Sequence, residues 1–150
     1  MIPLIKFLPV RPGFYELPKK SFESDAGFDV IAQSIEKKND GLVVCYLGFA
    51  TEIPKGWKGV IVPRSSLTKT KWAMLNSPGQ VDASYRGEWQ VRFTYVGDWG
   101  SPEFPFKVGD RIAQIYFEKV YPVALQITSV LSQTDRGSGG FGHTGGVSII

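Results

Sequence analysis

The sequence is poor in residues that form covalent or metal cross-links. It contains one cysteine and one histidine among 150 residues. A single cysteine cannot make an internal disulfide, and one Cys with one His cannot complete a four-ligand zinc site. The chain must therefore be stabilised by its core, and a chain of this length can build one. We expect a reducing, cytoplasmic setting, or the host cytoplasm if the protein is encoded by a virus or phage.

Long apolar runs and blocks of like charge are also lacking. The start of the chain has two prolines by residue 9. It has no apolar run of about 20 residues, so we expect neither a signal peptide nor a membrane span. Lys and Arg (17) are interspersed with Asp and Glu (14), for a net charge of +3. Without a basic block we expect no direct contact with nucleic acid, whereas small anions suit this balance.

Helix signals are scarce, and extended segments dominate the chain. Apolar and polar residues alternate from Trp89 to Tyr95, which is the period-two pattern of a strand with one buried face. Further short apolar runs between Pro and Gly predict an all-β sandwich or barrel. These predicted strands lie at 42–47, 60–62, 112–117 and 127–131.

Two features qualify this all-β pattern. One short helical turn is predicted after Ser65 or Ser66, either of which could cap it. No linker divides the chain before about Ser132. We therefore predict one domain over 1–131 and a mobile, glycine-rich arm over 132–150.

Two early segments contain residues suited to anions or cations. In SDAGFDV, Asp25 and Asp29 flank a glycine, which suits a hard cation or its water shell, or else a turn with solvated acids. In VPRSSL, Arg64 offers a fork of donors and Ser65 and Ser66 offer hydroxyls. This second segment predicts a phosphate pocket, or else a helix start beside a surface arginine.

Two later segments place polar residues among apolar ones. Asp82 follows Val81 where a strand is expected to enter the core, so it is a candidate general base or else a turn aspartate. Gln114 lies within VGDRIAQIYF, and a buried Gln must pair with the backbone or contact a ligand. The aromatic loop 97–106 could pack on the barrel or meet a partner.

The glycine-rich tail can bury almost nothing. Phe141 is the only large apolar residue between Gly137 and Gly146, and Arg136 and His143 bring the only positive charge. The tail lacks the Gly-Lys-Ser/Thr ending of a P-loop. It is either a flexible strap for a ligand or a disordered end.

Five segments, taken together and in order, resemble the five motifs of the trimeric deoxyuridine triphosphatase (dUTPase) family. They are AGFD, PRSS, the stretch from Asn76 to Glu88, GDRIAQ and RGSGGFGHTG, and they span about residues 24–145. The resemblance implies a jelly-roll-like distorted barrel, a homotrimer with shared active sites, and Mg²⁺-dependent hydrolysis of dUTP to dUMP and pyrophosphate. Such an activity limits uracil in DNA and supplies dUMP for dTMP synthesis.

The resemblance also implies roles for individual residues. Asp82 matches the acid that activates the attacking water, Asp29 would act on Mg²⁺ through water, and Tyr85 would exclude a ribose 2′-hydroxyl. Uracil would be read by the hairpin residues Asn76, Gly79 and Val81. Phosphate contacts are implied for Arg64, Ser65, Ser66 and Gln114. A neighbouring subunit's arm would add Phe141 over the uracil, with Arg136, Gly142, His143 and Thr144 near the phosphates.

Departures from the family pattern are few. Phe28 stands where Tyr is common, Ser66 and Thr68 replace more frequent Gly and Ala, and Ser84 precedes the tyrosine. A dCTP deaminase of the same fold would need an acid within QVRFTYV, which has none. A dUTPase-fold regulatory protein that signals nucleotide occupancy to an unknown partner stays open as an alternative.

Overall fold

The structure, a computed structural model, describes residues 2–14, 16–98, 100 and 102–142. Within these residues the chain forms ten strands and one short 3₁₀-helix. The strands are β1 (Lys6–Pro9), β2 (Phe28–Ile31), β3 (Ser34–Lys37), β4 (Val43–Tyr46), β5 (Phe49–Glu52), β6 (Trp57–Pro63), β7 (Trp72–Met74), β8 (Gly79–Val81), β9 (Gln90–Tyr95) and β10 (Arg111–Lys119). The predicted all-β fold is confirmed.

The strands form two four-stranded sheets and one two-stranded sheet. Their orders are β2-β10-β6-β8, β3-β4-β9-β7 and β1-β5. All these pairings are antiparallel. β10 and β6 are the longest strands and pair over seven positions at the centre of the first sheet. Asp29, Val81 and Gln114 lie on strands of this sheet, and Arg64 and Asp82 directly follow its strands β6 and β8.

The predicted alternation is visible in β9. Val91 and Phe93 are fully buried, whereas Arg92 between them is exposed. Successive side chains of a strand point to opposite faces, so one face of β9 joins the core. The strands predicted at 42–47, 60–62, 89–95 and 112–117 are confirmed as β4, β6, β9 and β10.

The strand predicted at 127–131 is wrong for this structure. Residues 120–131 contain no strand, and Leu125 and Ile127 are as exposed as in an unfolded chain. An apolar run becomes a strand only when another strand pairs with it. None of the described strands pairs with residues 120–131, which we call the C-terminal segment. The domain boundary after residue 131 stays a prediction.

The predicted helical turn exists as the 3₁₀-helix Ser65–Lys69, which buries Leu67. Its N-cap is Arg64, without a side-chain capping bond, so the prediction that Ser65 or Ser66 caps it is wrong. With five residues it is far too short to cross a bilayer, and no described helix could do so.

The described part of the 97–106 loop packs on the barrel. Phe104 is buried, with its ring centroid 5.0 Å from that of Trp72 and 5.3 Å from that of Phe93. Phe106 also lies against Phe93, at 5.8 Å. For these two aromatic residues the structure selects core packing; Trp99 lies outside the described residues.

Candidate functional site

A buried carboxylate joins three strands of the first sheet. Asp29 of β2 pairs with Gln114 of β10, which in turn pairs with Val62 near the end of β6. This register places Arg64, just after β6, beside Asp29. The Asp29 carboxylate accepts four hydrogen bonds: on Oδ1 from Arg64 Nε (3.0 Å) and Gln114 Nε2 (3.2 Å), and on Oδ2 from Arg111 Nη1 (3.1 Å) and Ser21 Oγ (3.3 Å). We call these five residues the Asp29 cluster.

The cluster is organised by charge. Asp29 is 8% exposed, and burial by itself would raise the pKa of its carboxyl group. The hydrogen bond from Gln114 and the charges of Arg64 and Arg111 outweigh this and hold the pKa below its usual range. Asp29 is therefore ionised at neutral pH. Two guanidinium groups face one carboxylate, so the cluster has an excess of positive charge that suits an anion such as phosphate.

The surroundings of Asp29 do not fit a protein-held metal. Both of its oxygens already accept bonds from charged or amide donors. The described residues contain no group of three or more His, Cys, Asp or Glu side chains that could hold a metal ion. Mg²⁺ requires oxygen ligands at about 2.0–2.1 Å, which two neighbouring guanidiniums oppose. The metal role of Asp29 stays a prediction that this geometry does not favour.

A second group of predicted residues forms a cleft of about 370 Å³ beside β8. Its lining includes Asn76, Gly79, Val81, Asp82 and Tyr85, so the structure brings these five predicted site residues together, and their roles stay predictions. β8 is the edge strand of its sheet and pairs only with β6 among the described strands. Its outer edge offers backbone N–H and C=O groups that are not paired with another described strand. Such groups can form hydrogen bonds with the edge of a flat polar ring.

Local contacts hold the segment from Asn76 to Val81 in place. The Asn76 side chain donates from Nδ2 to the carbonyl oxygen of Gln90 (3.0 Å), and its Oδ1 accepts from the N–H of Arg92 (3.0 Å). Its amide group therefore bonds to β9 and leaves recognition to the backbone. A β-carbon at Gly79 would overlap Ile61 and the Asn76 carbonyl, so glycine is required there by close approach.

Asp82 and Tyr85 line the cleft from the turn after β8. Asp82 directly follows β8 and is exposed, so the expectation that it would lie near the core is wrong: β8 ends at Val81 and the chain turns outward. The N–H of Tyr85 donates to the Asp82 carbonyl oxygen at 3.0 Å. The two side chains thus belong to one tight turn, where the Asp82 carboxylate can contact water.

The cleft and the Asp29 cluster lie apart within one chain. Val81 pairs with Gly59, whereas Arg64 is five residues further along from Gly59. Five residues of strand span roughly 16 Å. Neither Arg64 nor Gln114 lines the cleft. Within one chain, Asp82 and Arg64 therefore belong to two separate groups of side chains.

The described tail residues, up to Gly142, join neither group. Phe141 is fully exposed, and Arg136 donates through Nε to the carbonyl oxygen of Gly139 at 2.9 Å. Arg136, Phe141 and Gly142 do not line the cleft. Ser65 and Ser66 are exposed beside Arg64. The predicted sites His143 and Thr144 lie outside the described residues.

Sequence reasoning did not assign three charged residues near these groups, namely Arg111, Arg92 and Glu88. Arg111 bonds to Asp29, and its signal was its place in GDRIAQ, next to the residues that were assigned. Arg92 lines the cleft, and its Nη2 donates to Gln90 Oε1 at 3.2 Å. In the sequence, Arg92 shows only as a charged residue on the outward face of a strand. Any exposed strand has such residues, so this pattern could not mark Arg92 as part of a site.

The fold is that of a known class of nucleotidohydrolases. The dUTPase of Staphylococcus bacteriophage 80alpha with dUPNHPP has a similar structure, with a TM-score of 0.76 and 20% identity over 95% of this chain and 98% of that one. A variant dUTPase of phage phi11 of S. aureus, described with a structural Mg(II) ion, gives a TM-score of 0.67 at 16% identity, over 85% and 97% of the two chains. At these identities the likeness establishes the fold, including its jelly-roll-like character.

Sequence comparison establishes the family. Residues 15–145 match the dUTPase family. The deoxyuridine 5'-triphosphate nucleotidohydrolase of Rickettsia prowazekii (strain Madrid E) is 39% identical over 133 residues, 86% of this chain and 88% of that one. The enzyme of the same name from Fusobacterium nucleatum subsp. nucleatum is 36% identical over 140 residues, 91% and 94% of the two chains. The chain belongs to the dUTPase family.

Proposed function

We propose that this protein hydrolyses dUTP to dUMP and pyrophosphate, as a dUTP diphosphatase. The cleft beside β8 carries this proposal, because one edge strand, one exposed carboxylate and one tyrosine stand together there. The match to the dUTPase family over residues 15–145 supports it. We place the activity in the cytoplasm, where the buried, unbridged Cys45 is in keeping with a reducing setting.

Some residues of the cleft recognise the nucleoside, and Asp82 takes part in the chemistry. The backbone edge from Gly79 to Val81 pairs with uracil, so cytosine, with its inverted donors and acceptors, leaves polar groups unpaired. The Tyr85 ring lies below the sugar and excludes a 2′-hydroxyl. Asp82 takes a proton from the water that attacks the α-phosphorus in line.

The phosphates are held by the Asp29 cluster and its neighbours. Arg64 uses Nε on Asp29, and a guanidinium has further N–H groups that can donate to phosphate oxygens. Gln114 and the hydroxyl of Ser65 add donors where negative charge develops as pyrophosphate leaves. Asp29 fixes the arginine by its buried ion pair. Magnesium would arrive chelated by the triphosphate itself, which needs no ligand from this chain.

The complete site requires more than one subunit. The register of β6 and β8 separates Asp82 from Arg64 by roughly 16 Å along β6, and Arg64 does not line the cleft. The C-terminal segment also exposes six large apolar side chains, Tyr121, Val123, Leu125, Ile127, Val130 and Leu131, each at least 75% exposed. Exposed apolar surface of this extent marks an interaction site. We infer a homotrimer in which subunits contribute different motifs and a neighbour's arm brings Arg136, Phe141, Gly142, His143 and Thr144.

Pyrophosphate release from dUTP, dCTP, dTTP and UTP, each with Mg²⁺ and with EDTA, tests the function. Rapid release from dUTP alone, abolished by EDTA, is the expected result. Equal release from dUTP and UTP would contradict the role of Tyr85, and ammonia from dCTP would mean a deaminase. No release from dUTP by folded protein would overturn the proposed function.

A further inference from the structure

The loop from Asp82 to Glu88, which we call the catalytic loop, holds the Tyr85 ring by contacts of its own. The Tyr85 hydroxyl donates to the Glu88 carbonyl oxygen at 3.2 Å. The ring also packs so closely on Gly87 that a β-carbon there would overlap it. The position of the Tyr85 ring therefore depends on the position of the backbone at Gly87 and Glu88.

The Glu88 side chain ties that backbone to two distant parts of the chain. Its Oε1 accepts from Arg11 Nε at 2.6 Å and from the N–H of Gly48, in the turn between β4 and β5, at 2.9 Å. Arg11 is itself held, because its guanidinium lies 4.2 Å from the centroid of the Tyr46 ring and Tyr46 donates to Glu36 at 2.9 Å. The N-terminal segment thus clamps the end of the catalytic loop.

This pair differs from the ion pairs on the surface. The side chains of Arg11 and Glu88 are 35% and 16% exposed, against 63% and 54% for Lys6 and Glu52. A charge-assisted bond shielded from water contributes more than an exposed pair, which is screened by solvent. Neither Arg11 nor Glu88 has a role in the chemistry proposed above, and Glu88 lines the same cleft as Tyr85.

We propose that Arg11 and Glu88 are positioning residues that set the place of the Tyr85 ring and thereby the preference for deoxyribose over ribose. The inference rests on the proposed function. Steric exclusion of one hydroxyl works only if the excluding ring cannot retreat. Loss of the clamp lets the catalytic loop move and admits the 2′-hydroxyl, whereas binding of the deoxyribose changes little.

The test measures kcat/KM for dUTP and for UTP in Arg11→Gln, Glu88→Gln and the double variant. We expect the dUTP-to-UTP ratio to fall about tenfold in each single variant, the scale of one hydrogen bond to a charged group. The double variant should fall no further than the singles, because both remove the same interaction. Arg11→Lys, which keeps the charge, should recover part of the ratio. Lys6→Gln with Glu52→Gln is the matched control and should leave the ratio unchanged.

The ratio of kcat/KM for dUTP to that for UTP decides whether the inference stands. An unchanged ratio in the folded Arg11→Gln variant, even with a lowered Tm, would overturn the inference and leave the pair a structural one. Equal losses for dUTP and UTP would do the same. Failure of Glu88→Gln to fold would leave Arg11→Gln to decide. A wild type without activity on dUTP would refute the proposed function instead, and is seen before any variant is compared.

Discussion

Asp29 and Asp82 are the same residue type in opposite surroundings. Asp29 is buried and accepts bonds from two arginines, a glutamine and a serine, whereas Asp82 is exposed at the end of an edge strand. The first carboxylate has no lone pair to spare for a reacting proton, and its lowered pKa makes it a poor base. The second can contact water directly. Surroundings, and not residue type, separate the structural acid from the candidate catalytic one.

The largest expected effect is that of Asp82→Asn. The change removes the base and keeps the shape, so turnover of dUTP should fall by about 10²–10⁴-fold, the usual contribution of general base catalysis. Binding of a non-hydrolysable dUTP analogue, measured by calorimetry, should stay near that of the wild type. Asp98→Asn, at a side chain that is 96% exposed, is the matched control. Near-normal rates in Asp82→Asn would refute its role as the base.

Deletion of residues 136–150 should remove most of the activity and leave the fold and the assembly intact. Among the described tail residues 136–142, none lines the cleft or belongs to the Asp29 cluster, so both halves of the site should keep their geometry. Size-exclusion chromatography with light scattering and the dUTP assay measure the two effects. An aggregated product would show that the tail is structural.

Asp29→Asn should chiefly lower stability. The variant keeps the size of the side chain but leaves two arginines without their counter-charge, which should cost about 2–4 kcal/mol in the free energy of unfolding. The KM for dUTP should rise because Arg64 is no longer fixed, and the Mg²⁺ concentration for half-maximal activity should not change. A large rise in that concentration would instead support the metal role predicted from the family resemblance.

The smallest effect concerns pH. Because the pKa of Asp29 is lowered in the folded protein, its stabilisation is present above the unfolded value of about 3.9 and is lost as pH falls through the folded pKa. The difference in unfolding free energy between the wild type and Asp29→Asn, from urea titrations, should thus be constant from pH 7 to about 5 and shrink below about pH 4. A difference that grew on acidification would contradict this assignment.

Much of the fold could be predicted, because its signals are local. Strands β4, β6, β9 and β10 show in their apolar runs and alternation. The segment at 127–131 is also an apolar run but forms no strand here. An apolar run indicates a tendency to be buried, and it does not indicate which strand, if any, will pair with it. The cap of the 3₁₀-helix was mispredicted for a similar reason: Ser65 and Ser66 can cap a helix, but the chain begins the turn at Arg64.

The sequence by itself determined the family and the residues whose side chains are suited to catalysis or binding, because a motif consists of residue types at short spacings along the chain. Tertiary structure alone decided how those residues are used. Arg64 and Arg111 lie 35 and 82 residues from Asp29 and meet it only through the register of β2, β10 and β6. The same register holds Asp82 away from Arg64. Such contacts depend on strand pairing across the whole chain, which no local pattern specifies.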